Sequence, residues 1–326
     1  MKESDIRDRE ILNYYLELVK EDCKKLFESD NLLVNVACPA CESDLYKNEF
    51  TKNSFEYVTC TQCNTLFVRN RPRFDILMSF YSCSTSTDYW VNNFFKPKSE
   101  KRRELIFRPR AHDVKNRFGE DPKWIVGDIG AGFGIFLEEL RRLWPKSKYV
   151  AVEPSINQAV ICKEAHIKVE CCPLEKLEGY QNHFDLLTAF ELMEHLHHPV
   201  TFLRSIYNLL KPGGFFLAAM LNGEGFDIQI LWEKSKSVTP PHHLNFFNPA
   251  SLSQLLIHSG FKIMELDTPG VLDWDIVEGM IKNEGIDAGR FWSLLSEKGT
   301  PKAKSRFQEW IQTSMLSSHM RILACK

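Results

Sequence analysis

Asp128-Ile129-Gly130-Ala131-Gly132-Phe133-Gly134, followed by Glu153 in Tyr149-Val150-Ala151-Val152-Glu153-Pro154-Ser155, decides how this chain folds. Ile125-Val126 ahead of the glycines reads as a buried strand end, and Phe133 to Leu143 as a helix with apolar residues at 133, 136, 137, 140 and 143. The glycines therefore fall at a strand-to-helix turn. Without side chains there, backbone N–H groups approach a ligand closely, at the positive end of the helix that follows. Glu153 ends the next strand, where a doubly wound sheet presents a carboxylate to ribose hydroxyls. A dinucleotide fingerprint would place glycine at 135, where Ile135 stands. A carboxylate at the head of the loop suits a ligand with an ammonium group, and would repel a pyrophosphate.

Phe184 to Phe190 reads as a fourth strand, and Leu209-Leu-Lys-Pro212-Gly213-Gly214 as a helix end, a turn and the entry to a fifth. From Trp124 to about Met264 strands and helices alternate without a break, which argues a parallel sheet wrapped by helices. The D-x-G-x-G-x-G run resembles motif I of the class I S-adenosylmethionine-dependent methyltransferases, and the resemblance covers this whole stretch. It implies a Rossmann-like α/β fold: a seven-stranded, mostly parallel sheet whose antiparallel last strand, Ser318 to Lys326, inserts beside Phe261 to Leu266. It also implies S-adenosylmethionine as cofactor, held by Asp128, Gly130, Gly132, Gly134, Glu153, Pro154, Leu174 and Phe190. Adenine would lie between the second and third strands with its edge on the backbone of Leu174; Pro173 stands where many relatives have aspartate.

Glu191-Leu-Met-Glu194-His195 follows the fourth strand, and one helical turn would put Glu191, Glu194 and His195 on one side. The E-x-x-E-H pattern resembles two metal-dependent branches of the family, ubiquinone-pathway O-methyltransferases and small-RNA 2′-O-methyltransferases. That likeness implies a divalent cation held by Glu191, Glu194, His195 and His243, lowering a hydroxyl's pKa; metal-free relatives share the pattern, with Glu191 near the cofactor and the rest fixing the turn. Pro240-Pro241-His242-His243-Leu-Asn-Phe-Phe247 resembles the H-L-x-x-F element of a broad subgroup that includes sugar-nucleotide C-methyltransferases with an N-terminal zinc module. The counterpart of His243 is a base there, and His242 replaces a glutamate. Catalytic candidates are therefore His243, His242 and Glu191, against a structural role for His243 in capping the next helix or bridging the loop.

Cys38-Pro-Ala-Cys41 and Cys60-Thr-Gln-Cys63 are separated by 18 residues, the spacing of a four-sulfur zinc site with no open position. Glu49 to Val58 between them reads as a hairpin around Asn53-Ser54, making residues 33–72 a zinc ribbon; too short to bury a core, it needs its metal to fold. Residues 1–32 carry an amphipathic helix with apolar positions from Ile6 to Phe27. Residues 73–120 form a helical bridge or lid containing Tyr81, Tyr89 and Trp90, and 121–326 the methyltransferase domain with a helical insertion at 270–317. The remaining cysteines, 23, 83, 162, 171, 172 and 325, lack ligand spacing and read as buried thiols.

Apolar content of 44% and a formal charge of −2 over 326 residues describe an ordinary globular chain. No basic surplus announces nucleic acid, no apolar run reaches a membrane span, and the N-terminus lacks a signal-peptide core, so cytoplasmic residence is expected. The leading expectation is methyl transfer to a small molecule, a sugar nucleotide or a polysaccharide or secondary-metabolite precursor, with oligomeric state open. RNA methylation through the ribbon and a non-catalytic cofactor-binding scaffold are the competitors.

Overall fold

A computed structural model describes residues 3–6, 8–27 and 32–326, so positions 1, 2, 7 and 28–31 of the expected N-terminal helix lie outside the described residues. The chain forms two compact units. One, the ribbon unit, comprises Met1–Tyr89, Met220–Gln254 and Leu266–Arg321; the other, the sheet unit, comprises Trp90–Ala219, Leu255–Glu265 and Ile322–Lys326.

In the ribbon unit, helix Arg9–Leu26 starts at Asp8, whose carboxylate accepts from the N–H groups of Glu10 and Ile11. Its apolar stripe, Leu12, Tyr15, Leu18, Val19 and Cys23, is buried. Phe27 meets Phe55 edge-on at 5.3 Å. Five strands follow: β1 (Leu33–Asn35), β2 (Tyr46–Lys52), β3 (Phe55–Cys60), β4 (Leu66–Val68) and β5 (Asn70–Pro72). β2 and β3 make the expected hairpin, turning through Asn53 and Ser54 at φ 49° and 69°. Two successive left-handed residues are what a tight type I′ turn requires. β4 pairs antiparallel with β3, and β1 with β5. The helices Asp273–Glu284, Arg290–Lys298 and Pro301–Thr313 of the expected insertion belong to this unit and bury Trp274, Val277, Met280 and Trp292 together with Leu231.

The bridge expected over 73–120 is helical throughout most of its length, and it is shared. Phe74–Cys83 and Thr85–Tyr89 go with the ribbon unit, while Trp90 to Phe118 goes with the sheet unit. Its aromatics pack: Tyr89 on Tyr14 at 5.0 Å, and Trp90 flat on Phe94 at 3.9 Å.

The sheet unit is built on β6 (Ile125–Ile129), β7 (Lys148–Val152), β8 (Lys168–Glu170), β9 (Phe184–Phe190) and β10 (Leu210–Leu221). After β11 (Asn245–Phe246), which lies in the ribbon unit, come β12 (Lys262–Asp267) and β13 (His319–Cys325). The seven strands run β12-β13-β10-β9-β6-β7-β8, with β10/β9, β9/β6, β6/β7 and β7/β8 parallel. The last strand therefore sits beside β12, between it and β10, as the class I topology implies. Phe136, Leu137 and Leu140 of the helix after β6, with Trp144 at its C-cap, close one face over Val126, Ala151, Leu186 and Leu217. The strand order reverses between β6 and β9, which opens the crevice where such sheets bind ligands at the carboxyl end of β6.

Two local expectations need correction. The helix after the glycine loop begins at Ile135, not Phe133, because Gly134 is left-handed at φ 72° and cannot continue a helix. Of the cysteines without ligand spacing only Cys23 and Cys162 are buried; Cys83 and Cys171 are exposed, at a helix end and just past an edge strand, where no core is available. Among the described residues no helix is long and apolar enough to cross a membrane.

Candidate methyl-donor site and ribbon centre

β6 delivers Asp128 and then turns through three left-handed glycines, Gly130, Gly132 and Gly134, at φ 70°, 57° and 72°. A side chain at Gly134 would also meet Cys162 Sγ at 3.0 Å, so this position is closed to any other residue by conformation and by space. The loop is pulled back onto β7: Gly130 N–H donates to the Val152 carbonyl at 2.8 Å. Glu153 at the end of β7 completes the turn, Oε2 accepting from Gly132 N–H and Oε1 from Ser155 N–H, each at 2.8 Å. Each carboxylate oxygen keeps a further lone pair for a ligand hydroxyl.

Asp128 lies opposite Thr188 of β9, whose hydroxyl donates to Oδ1 at 2.6 Å. It is 4% exposed and Glu153 5%. Burial is the largest influence on both and lifts each to about 7. Hydrogen bonds from Thr188, and from the Ser155 and Gly132 N–H groups, work in the opposite direction. The crevice thus holds two buried carboxyl groups poised between charge states, a demand for donors and cations that a ligand would meet. Pro154 follows Glu153, Leu174 is buried at the start of a short helical turn behind Pro173, and Phe190 ends β9.

Arg110, in the first turn of helix Arg108–Phe118, is the residue the sequence reading missed. Its guanidinium lies over the Phe190 ring at 4.2 Å, donates to Glu191 Oε1 at 3.0 Å, and its charge draws Asp128 down. It sits within a run of mixed charge and apolar residues, with no motif around it; only its placement on the helix that enters β6 would have marked it.

Glu191, Glu194 and His195 do not share a helical turn. β9 ends at Phe190 and the chain reverses at Glu191 itself, left-handed at φ 52°, before a single turn over Met193–His195. Glu191 therefore turns to Arg110, and Glu194 is 2% exposed. These three residues belong to the sheet unit; His242 and His243 belong to the ribbon unit.

His243 Nδ1 is 2.5 Å from the Ser237 carbonyl, which can only accept, so Nδ1 carries a proton and the neutral form of the ring is the one with its lone pair on Nε2. That is the tautomer a general base needs. His242 is differently placed, between the rings of Phe80 (4.9 Å), Tyr81 (5.5 Å) and Tyr15 (5.7 Å). Burial first, then the neighbouring His243, lowers its pKa to about 3, so it is neutral throughout the physiological range and sealed in aromatic packing. The expectation of a catalytic His242 does not suit this setting.

The four cysteines of the ribbon converge, their sulfurs all within 4.8 Å of one another. Cys38 and Cys63 are 3.4 Å apart and Cys41 and Cys60 3.5 Å, too far for a disulfide and close to the edge of a thiolate tetrahedron around zinc, about 3.8 Å. The two knuckles are alike. Glu42 N–H returns to the Cys38 carbonyl and Asn64 N–H to the Cys60 carbonyl, each at 2.9 Å, with Glu42 and Asn64 both at φ 58°. The cluster fits a closed, structural zinc site.

Comparison with known proteins agrees with this geometry. A family described as a methyltransferase domain matches residues 100–266, just over half of the chain. A ubiquinone biosynthesis O-methyltransferase of Methylobacterium sp. (strain 4-46) is 32% identical over 121 residues, 34% of this chain and 47% of that protein. The mitochondrial ubiquinone biosynthesis O-methyltransferase of Saccharomyces cerevisiae is 26% identical over 211 residues, 58% of this chain and 65% of its own. The chain thus spans about half to two thirds of the length of these curated relatives. In fold, a SAM dependent methyltransferase from Archaeoglobus fulgidus superposes on 72% of this chain and 100% of its own with a TM-score of 0.50 at 18% identity. Since the matched stretch contains the whole glycine loop, Glu153 and the strands that carry them, the chain belongs to the methyltransferase-domain family and has the class I S-adenosylmethionine-dependent methyltransferase fold.

Proposed function

We propose that this protein transfers a methyl group from S-adenosylmethionine to an oxygen of a small hydroxylated acceptor. The observation that carries the reading is the cradle at β6 and β7: three left-handed glycines folded onto a buried glutamate whose two oxygens are both aligned by backbone N–H groups. Small-molecule O-methylation is supported by the names of the curated relatives, ubiquinone biosynthesis O-methyltransferases. They lend no support to a sugar nucleotide in particular.

S-adenosylmethionine, when bound, supplies a methyl group already activated on a sulfonium, so the protein's part is alignment, water exclusion and one proton. Glu153 would accept from the ribose hydroxyls of the bound cofactor. Asp128 and Arg110, of opposite charge, suit the ammonium and carboxylate of an amino-acid end. His243 takes the acceptor's proton at Nε2 while Nδ1–H stays on the Ser237 carbonyl, which stabilises the imidazolium formed. Cys38, Cys41, Cys60 and Cys63 would hold zinc in a structural role.

Calorimetry with S-adenosylhomocysteine tests the donor site directly: micromolar binding that is lost in Glu153→Ala supports it, and no binding to the parent protein refutes it. A panel of phenolic, catecholic and sugar hydroxyl acceptors, read by S-adenosylhomocysteine release, then tests the acceptor class.

A further inference from the structure

The loop that carries His243 is tied to the ribbon along His243 to Phe246, at Asn248, and again upstream at Glu233 and Ser235. Tyr57, 1% exposed in the middle of β3, donates its hydroxyl proton to the His243 carbonyl at 2.9 Å. The next carbonyl, Leu244, accepts from Val68 N–H at 2.9 Å. Asn245 and Phe246 form β11 and pair with Phe67 and Leu66 of β4, making the loop the fourth strand of the ribbon's sheet. The fully buried Arg71 donates to Asn245 Oδ1 and to the Val68 carbonyl, both at 3.1 Å. Asn248 Nδ2 donates at 2.8 Å to the carbonyl of Cys63, one of the four sulfur residues. Upstream, Lys52 of β2 donates to the Glu233 and Ser235 carbonyls, just ahead of the Ser237 carbonyl that sets the imidazole tautomer.

Cys60 closes β3 three residues beyond Tyr57, and Cys63 stands three residues before β4. The reversal that joins β3 to β4 runs through Cys60 and Cys63, so a cross-link at those sulfurs fixes how the two strands, with Phe55, Tyr57, Val58, Phe67 and Val68 buried, meet at that end. We propose that the four-cysteine site is the positioning frame of His243: metal at Cys38, Cys41, Cys60 and Cys63 orders β3 and β4, and the Tyr57 hydroxyl passes that order to the His243 backbone. Tyr57 is accordingly a positioning residue. The consequence for turnover rests on the reading of His243 as base; the coupling of metal to loop does not.

The test uses the full chain labelled with ¹³C-histidine. The His243 ring signal is assigned by its absence in His243→Ala, zinc is measured by release to a chromogenic chelator, and S-adenosylhomocysteine affinity by calorimetry. Stripping about one equivalent of zinc is expected to shift the His243 signal or broaden it away, while affinity for S-adenosylhomocysteine changes by less than about threefold. Tyr57→Phe, which keeps the ring and its zinc, is expected to shift the same signal to a smaller extent. An unmoved signal after zinc loss overturns the frame, and so does loss of S-adenosylhomocysteine binding in parallel with zinc, which would make the metal a support of the whole fold. An unmoved signal in Tyr57→Phe removes Tyr57 from the coupling. If zinc loss moves the signal while His243→Ala turns over like the parent, the base reading fails and the frame stands.

Discussion

The donor cradle and the His243 loop are built in opposite ways. In the cradle the partners are close in sequence: Gly132 and Glu153 are 21 residues apart, and the geometry between them follows from one glycine-rich turn and one parallel strand pair. The His243 loop depends on partners far away, 186 residues for Tyr57 and 185 for Cys63, and on a strand pairing with a different part of the chain. A local structure of the first kind is encoded where it is used and tolerates little change at its glycines. One of the second kind can be re-aimed by altering the support, which is how a fixed donor site comes to serve different acceptors.

The sharpest way to break this contrast is to remove one functional group from each side. His243→Ala is expected to lower turnover by about 10² to 10⁴, the usual contribution of a general base, and to leave the S-adenosylhomocysteine dissociation constant unchanged. Turnover within a factor of about three of the parent would return His243 to a structural role. Glu153→Ala acts on the other side: losing its ligand hydrogen bonds, each worth about 1.5–3 kcal/mol when charged, should weaken S-adenosylhomocysteine binding by roughly 10- to 100-fold. Unchanged affinity would show that the glycines alone hold the cofactor.

The same contrast explains what could be read in advance. The glycine loop, Glu153, the hairpin turn at Asn53-Ser54 and the two cysteine knuckles are legible because each is a backbone requirement expressed within a few residues: a left-handed φ, a reversal, a pair of thiolates on one turn. The sheet order followed from the alternation and from family likeness. What could not be read is what depends on distant packing. Arg110 looks like any arginine in a charged run until helix Arg108–Phe118 brings it over Phe190. His242 and His243 are adjacent and indistinguishable in sequence, yet three aromatic rings enclose one while a carbonyl sets the tautomer of the other. Glu191 was expected on a helical turn because spacing alone suggests one; the reversal at φ 52° that sends it to Arg110 has no local signature, since glutamate rarely adopts that conformation.

A finer difference concerns protons. Burial raises Asp128 from 3.8 and Glu153 from 4.5 to about 7, so from about pH 4 to pH 7 the folded sheet unit binds more protons than its unfolded chain. Their contribution to stability is fully present below about pH 4 and is lost as pH rises through 7. A ligand that donates to the ionised forms reverses the penalty and must displace the protons. S-adenosylhomocysteine affinity should therefore rise about tenfold between pH 6 and pH 8 for each carboxyl that must ionise, with proton uptake by the buffer seen as a dependence of the binding enthalpy on buffer ionisation. A pH-independent affinity and a buffer-independent enthalpy would mean that both carboxyls are already ionised in the free protein.

In the ribbon unit the slope has the other sign. Lys52 is half-buried there, its ammonium lowered from 10.5 to about 8 chiefly by burial, with Glu233 opposing. Between pH 8 and 10.5 the unfolded chain holds a proton on Lys52 that the folded one gives up, so this group adds stability as pH rises through that window. Neutralisation leaves its donors to the Glu233 and Ser235 carbonyls usable, which is why the gain survives loss of charge. Lys52→Met removes both donors, and the two carbonyls it served are each left to solvent or to nothing. Urea titrations of zinc-loaded protein should find the variant less stable by about 1 kcal/mol at pH 8, with the gap widening toward pH 10. A gap that narrows with pH would mean that the Lys52 ammonium, and not its neutral amine, is what ties β2 to the approach to the His243 loop.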